Sequence, residues 1–229
     1  MSPQPRALKT LNILSVILVL GAFLQVILFT PYEEIMGPVQ KIFYFHVAVA
    51  WVGMLGFIAS AVVAVIYLVT KDLKWDVICL AAVEISLVFF FEAIVLGSIW
   101  ARRAWGTWWT WDPRLTTAAI LEMIYLAYLL LRQGLEDPER RARFGAVYTL
   151  LGGLSVPLTF ISIRIFRTIH PILIGGGGTD TMNMSNSMLL TMFISIGVFT
   201  LVFITLFWHR IRLGFLREEV EHTKLSVTE

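Results

Sequence analysis

The stretch Ile42-Phe-Tyr-Phe-His46-Val-Ala-Val-Ala-Trp51-Val-Gly-Met-Leu-Gly-Phe-Ile-Ala-Ser-Ala-Val-Val-Ala-Val-Ile-Tyr-Leu-Val-Thr70 runs for 29 residues without an aspartate, glutamate, lysine or arginine. An α-helix needs about 20 apolar residues to cross roughly 30 Å of hydrocarbon, so this block alone can span a bilayer. Working outward, five further apolar blocks fall at about residues 11–30, 77–99, 115–131, 146–163 and 188–208. They are continuous and do not alternate, which favours helices over barrel strands, because only closed hydrogen-bonding patterns survive in lipid. The expectation is an all-α integral membrane protein, a six-transmembrane-helix bundle forming a single membrane domain over residues 1–229.

Composition agrees with a membrane solvent. Hydrophobic residues make up 58% of the chain and charged residues 15%, with a mean hydropathy of +0.79, too apolar for a domain whose whole surface faces water. The charges lie beside the apolar blocks without forming a basic run or arginine-rich arm, so nucleic acid is not an expected partner. No glycine-rich phosphate loop followed by Lys and Ser or Thr is present, and the only cysteine, Cys79, allows no intrachain disulfide and no cysteine-rich metal site. The first block follows Arg6 and Lys9 but is longer than a secretory signal core and lacks a small-residue cleavage site after it, so it is expected to be a retained helix.

Orientation follows from the basic residues between the blocks. Arg6, Lys9, Lys71, Lys74, Arg132, Arg140, Arg141, Arg143, Arg210, Arg212, Arg217 and Lys224 fall on one side, and only Lys41, Arg102, Arg103, Arg114, Arg164 and Arg167 on the other. The richer side is assigned to the cytoplasm, which places both termini there.

The poorer, outer side carries an unusual concentration of aromatic residues. Between the third and fourth blocks the chain reads Trp100-Ala-Arg-Arg-Ala-Trp105-Gly-Thr-Trp108-Trp109-Thr-Trp111-Asp112-Pro113-Arg114, five of the eight tryptophans of the protein within twelve residues. An interfacial aromatic belt accounts for one or two tryptophans at a membrane surface, not for five on one short segment while the other outer loops have none. The segment, about residues 100–116, is better read as a platform for a large flat apolar ligand, with Arg102, Arg103 and Arg114 available to pair with carboxylates on its rim. Asp112-Pro113 has the pattern of a helix start, Asp capping and Pro in the first turn, and Asp112 is also placed to orient an indole N–H.

Two of the four histidines, His46 and His170, belong to the same side; His209 and His222 belong to the other. Neutral imidazole is an axial ligand for haem iron, and a porphyrin supplies both a flat apolar face and carboxylates. Zinc or copper calls for a third or fourth strong ligand, and besides the histidines the outer segments offer only Glu33, Glu34, Asp112 and Asp180. Haem is the most economical ligand.

These residues carry a family resemblance. Trp105-Gly-Thr-Trp-Trp-Thr-Trp-Asp112-Pro-Arg-Leu-Thr116 resembles the tryptophan-rich WWD signature of haem-handling membrane proteins. The size, the six-helix pattern, Lys41-Ile-Phe-Tyr-Phe-His46-Val and Arg167-Thr-Ile-His170 resemble the cytochrome c maturation protein C family. The resemblance implies that His46 and His170 are the axial ligands of a non-covalently held, b-type haem, and that Trp105, Trp108, Trp109, Trp111 and Asp112 form its platform. It further implies a bacterial inner-membrane protein whose site faces the periplasm, presenting haem to a membrane-anchored periplasmic chaperone, protein E. A small membrane protein D and an ATP-binding transporter of proteins A and B would be its other partners. This chain departs from the pattern at Arg102-Arg103, where a Lys-Pro-like pair is expected, and at Pro171 and Gly175–Gly178 after His170.

A role without catalysis of its own is implied, since the larger WWD proteins that attach haem directly carry a large soluble module and more than one outer histidine pair. Glu84, Glu92 and Glu122 lie within apolar blocks, where ionisable groups are functional candidates, and they leave open a channel or secondary transporter.

Overall fold

In a computed structural model the described residues are 3–32, 36–166, 168–170 and 184–228. Glu33, Glu34, Arg167, Pro171, Gly175–Gly178 and Asp180 lie outside them, as does the side chain of His222. The described residues form six long helices and no strands: α1 (Arg6–Leu24, continued by a π-helical turn at Gln25–Phe29), α2 (Gln40–Thr70), α3 (Leu73–Ala104), α4 (Pro113–Gln133), α5 (Pro138–Ile165) and α6 (Asn186–Thr228). Each is long and apolar enough to cross a membrane.

The helices overrun the apolar blocks at several ends. Trp100, Arg102 and Arg103 belong to the last turns of α3, and Arg140, Arg141 and Arg143 to the first turns of α5. The tail from Arg210 onward continues α6. At the starts of α4 and α5 the physical reason is local: Asp112 and Asp137 each accept a backbone N–H three residues on and are followed by proline in the first turn, so each of these helices starts at its cap, before hydrophobicity begins.

The organising unit is the α2–α3 hairpin. Its connection is only Lys71 and Asp72; Lys71 takes a left-handed conformation (φ 57°) and Asp72 caps α3 by accepting the Lys74 N–H at 3.0 Å. Small residues let the two helices close. A Cβ at Gly53 would stand 3.0 Å from the Phe90 backbone nitrogen, and one at Gly97 would stand 2.7 Å from the His46 imidazole.

α4 and α5 form a second antiparallel pair laid against this hairpin. Their seam is glycine against tyrosine: a Cβ at Gly152 would meet the Tyr125 ring at 2.6 Å. Tyr125 in turn stacks flat on Phe57 of α2, with ring centres 3.9 Å apart and planes 6° from parallel. At the far end from the tryptophans, buried Arg132 of α4 makes a two-pronged ion pair with Asp76 of α3, at 2.6 and 2.7 Å. α1 lies at the margin and is tied to α6 by polar pairs, Ser15 with Thr205 at 3.0 Å and Asn12 with His209 at 2.8 Å. Such pairs hold helices together where lipid offers no hydrophobic driving force between them.

Candidate functional site

The site is built where α3 ends and α4 begins. The Trp105 N–H closes the last turn of α3 on the Ala101 carbonyl at 2.8 Å, and Gly106 then turns the chain back through a left-handed conformation (φ 75°) that a side chain would strain. The returning strand of tryptophans is fastened to α3 by Ser98, whose hydroxyl donates to the Trp108 carbonyl at 2.8 Å. Thr107 donates to the Trp109 carbonyl at 3.0 Å. The segment is therefore a fixed loop lying over the end of the hairpin.

Beneath this loop lies an open cavity of about 80 Å³. Trp105, Trp108 and Trp109 line it from above, His46, Val47 and Ala50 from α2, Ala93, Ile94 and Gly97 from α3, Arg114 from α4, and His170 from the segment after α5. The two histidines chosen from the sequence, 124 positions apart, thus face one space with four tryptophans, Trp100 among them, and an arginine. The lining is overwhelmingly apolar, which suits a flat hydrophobic ligand with a few polar groups at its edge.

His46 is held on two sides. Its Nδ1 lies 2.8 Å from the Ala93 carbonyl, and its ring rests against the bare backbone at Gly97. A carbonyl can only accept, so Nδ1 carries the proton and Nε2 keeps its lone pair. This is the arrangement in which a backbone carbonyl fixes the tautomer of a metal-binding imidazole. His46 is legible in the sequence, whereas Gly97 and Ala93 are not; a lone glycine late in an apolar helix gives no signal until its facing residue is known.

Asp112 does more than cap α4. One carboxylate oxygen accepts the Leu115 N–H at 2.9 Å and the other accepts the Thr168 hydroxyl, while Thr168 Oγ1 accepts the His170 backbone N–H at 3.1 Å. The aspartate of the tryptophan segment is tied through one threonine to the backbone of the second histidine. Among the described residues the hydrogen bonds to Asp112 come from Leu115 and Thr168, not from an indole N–H. The indole N–H groups of Trp100 and Trp109 are instead buried with no acceptor. Burial without a partner costs on the order of 1–3 kcal/mol, so these donors favour a ligand that brings acceptors.

Three residues of the expected set line no part of the cavity: Asp112, which reaches His170 only through Thr168, and Trp111 and Arg102. Trp111 packs edge-to-face on Trp109, with centres 5.6 Å apart, but is 75% exposed and lines no part of the cavity. Arg102 donates to the Gly106 carbonyl and so braces the turn without entering the cavity. Arg114 does enter it: one guanidinium nitrogen donates to the Thr159 carbonyl at 2.8 Å, and the group lies 5.0 Å from the Phe160 ring centre. That fixed position leaves further N–H groups for an anion.

The membrane glutamates do not form a path. Glu84 pairs with Arg210 of α6, Glu92 is exposed on α3 beside exposed Phe91 and Val95, and Glu122 is buried with one carboxylate oxygen unpartnered. None of the three lines the cavity. Among the described residues no three His, Cys, Asp or Glu side chains come together as a cage for a bare metal ion.

The comparisons with known proteins point the same way. The family model described as Heme exporter protein C matches residues 2–226. A protein named Heme exporter protein C from Bradyrhizobium diazoefficiens is 32% identical over 214 residues, 92% of this chain and 79% of its own length. The Escherichia coli K12 protein of the same name is 32% identical over 142 residues, 62% of this chain and 58% of its own length. That of Rhodobacter capsulatus is 33% identical over 131 residues, 57% of this chain and 54% of its own length. With a match that runs almost from end to end, this six-helix chain belongs to the haem exporter protein C family.

Proposed function

We propose that the protein binds haem as a non-covalent, b-type cargo at its tryptophan end and hands it to a periplasmic haem chaperone for cytochrome c maturation. The observation that carries this reading is the convergence of His46, His170, Trp105, Trp108, Trp109 and Arg114 on one apolar cavity. His46 and His170 are the axial ligands, His46 through the Nε2 that its bond to Ala93 leaves free. The indoles cover the macrocycle, and Arg114 pairs with a carboxylate on its rim. Haem brings its own redox and ligand-exchange chemistry; the protein supplies orientation and a dry, shaped surface.

The whole chain acts as one membrane domain, without catalysing bond formation, and the attachment of haem takes place on the acceptor. The excess of Lys and Arg at the other end supports an orientation with both termini cytoplasmic and the site facing the periplasm of a bacterial inner membrane. Trp111, exposed and outside the cavity, fits a contact with the chaperone, protein E. The small membrane protein D and the transporter proteins A and B complete the set of partners. Any use of ATP belongs to them, since this chain has no nucleotide motif.

Absorption spectra of purified variants test the reading. His46→Ala and His170→Ala should each shift the haem spectrum or lower occupancy, and added imidazole should restore part of the signal. His209→Ala and His222→Ala should not alter it; His209 is bonded to Asn12 on α1, outside the cavity. A His46→Ala or His170→Ala protein, stable in the membrane and with wild-type haem ligation, removes that residue from the site.

A further inference from the structure

The cavity has a second opening, below the tryptophan loop and within the membrane-spanning part of the bundle. α5 and α6 both pack on α2, yet among the described residues they make no substantial contact with each other. The gap between them forms a groove of about 580 Å³, with Trp51 and Met54 of α2 on its floor, Phe160 and Ile163 on one wall, and Phe193 and Ile196 on the other. It shares six residues with the tryptophan-lined cavity, His46, Val47, Ala50, Met54, Arg114 and His170, so the two spaces meet along α2 beside both histidines.

Trp51 is the least expected member. It lies eleven residues into α2, roughly 16 Å along the helix from Gln40 at 1.5 Å per residue, too deep for an interfacial belt. It is 38% exposed and meets Phe160 edge-to-face with ring centres 6.2 Å apart, while Phe193 across the gap is 59% exposed. An aromatic pair thus lines the groove. The groove is otherwise apolar, with Arg164 and Arg114 as its cationic side chains.

We infer that the α5–α6 groove is a lateral portal through which the cavity takes up a flat, apolar, carboxylate-bearing ligand directly from the bilayer. Trp51 and Phe160 provide the stacking surface on the way in, and Arg164 and Arg114 provide contacts for the carboxylates. This rests on the haem-binding reading. An apolar entrance walled by two helices lets the macrocycle pass from lipid to the indoles without crossing water, and the cations draw its charged edge toward the histidines.

The test uses the full chain in phosphatidylcholine vesicles, with haemin supplied in separate protein-free phosphatidylcholine vesicles and ligation followed by stopped-flow absorbance. Ile163→Trp combined with Ile196→Trp fills the groove away from the histidines. It should slow uptake by about tenfold or more, as expected for one steric obstruction, with the final spectrum unchanged. Trp51→Ala should slow uptake by a smaller factor. An unchanged rate in the filled variant, or a change confined to final occupancy, overturns the portal.

A second arm needs no haem. In a Cys79→Ala background, a bimane on Ala50→Cys should be quenched by doxyl-labelled lipid chains nearly as well as one on lipid-facing Leu158→Cys, and the filled variant should lose that quenching. No quenching at Ala50→Cys overturns the portal whatever the haem result. Quenching at Ala50→Cys together with wild-type protein that never ligates haemin overturns the haem reading, and the portal's ligand with it.

Discussion

At one end of the bundle Arg132 is locked to Asp76 through both prongs of its guanidinium; at the other, Arg114 holds a single backbone carbonyl and turns its remaining edge to a cavity. The same difference runs through the tyrosines and tryptophans. Tyr125 fills its space completely, wedged between Phe57 and Gly152, whereas Trp108 and Trp111 lie largely exposed and Trp109 buries an N–H without an acceptor. One end spends its side chains on holding helices together. The other leaves polar groups and aromatic faces for something the chain does not itself contain.

The contrast is sharpest for the buried ion pair. Arg132→Met should strand Asp76 in the bundle and cost about 3–5 kcal/mol, whereas Asp76→Asn with Arg132→Met should cost far less, because no charge is left unpaired. Thermal unfolding in detergent distinguishes the two. A single mutant as stable as the double would mean that this end does not carry the fold.

Two glycines separate stability from ligation. Gly152→Ala forces a methyl group into the Tyr125 ring and should destabilise the protein by about 1–3 kcal/mol while leaving the haem spectrum of the folded fraction unchanged. Gly97→Ala presses on the His46 ring instead and should shift the haem spectrum or occupancy with a smaller change in melting temperature. Spectra and melting curves measured together decide it; equal effects on both quantities in both variants would erase the distinction between the two ends.

A smaller effect is expected at the link between the tryptophan segment and His170. Asp112→Ala removes both the α4 cap and the bond to Thr168, for about 1 kcal/mol from the cap alone, and should lower haem retention. Thr168→Val keeps the cap and breaks only the tether, so it should lower retention at nearly wild-type stability. Loss of retention confined to the Asp112 variant would show that the cap, not the tether, matters.

The smallest expected change in haem content is at Trp111. Because it lies outside the cavity, Trp111→Ala should leave haem content and melting temperature near wild type and lower only transfer to the chaperone. Trp109→Ala should lower haem content itself. Equal loss of haem in both variants would return Trp111 to the ligand surface.

How much was legible beforehand differs between fold and site. Blocks of apolar residues announced every helix, but their edges fell short at Trp100 to Ala104, where the helical backbone simply continues past the apolar block, and before Ala146, where the Asp137 cap starts α5 ahead of it. His46, His170 and the tryptophan segment were visible because charged, ligating or crowded aromatic residues are rare in such a chain. Trp51, Gly97, the Ala93 carbonyl and Thr168 were not visible, nor was the pairing of Glu84 with Arg210 of α6.

By itself the sequence determined the solvent, the number of helices and the types of side chain at one end. Which faces meet was decided only by the tertiary structure, and the reason is physical. In water a helix shows its buried face by polarity, but in a bilayer the side toward lipid is as apolar as the side toward protein, so the rotation of each helix leaves little trace in the pattern. The seat of His46 against Gly97, the tie from Asp112 to Thr168 and the gap between α5 and α6 all depend on that rotation and on residues far apart in the chain.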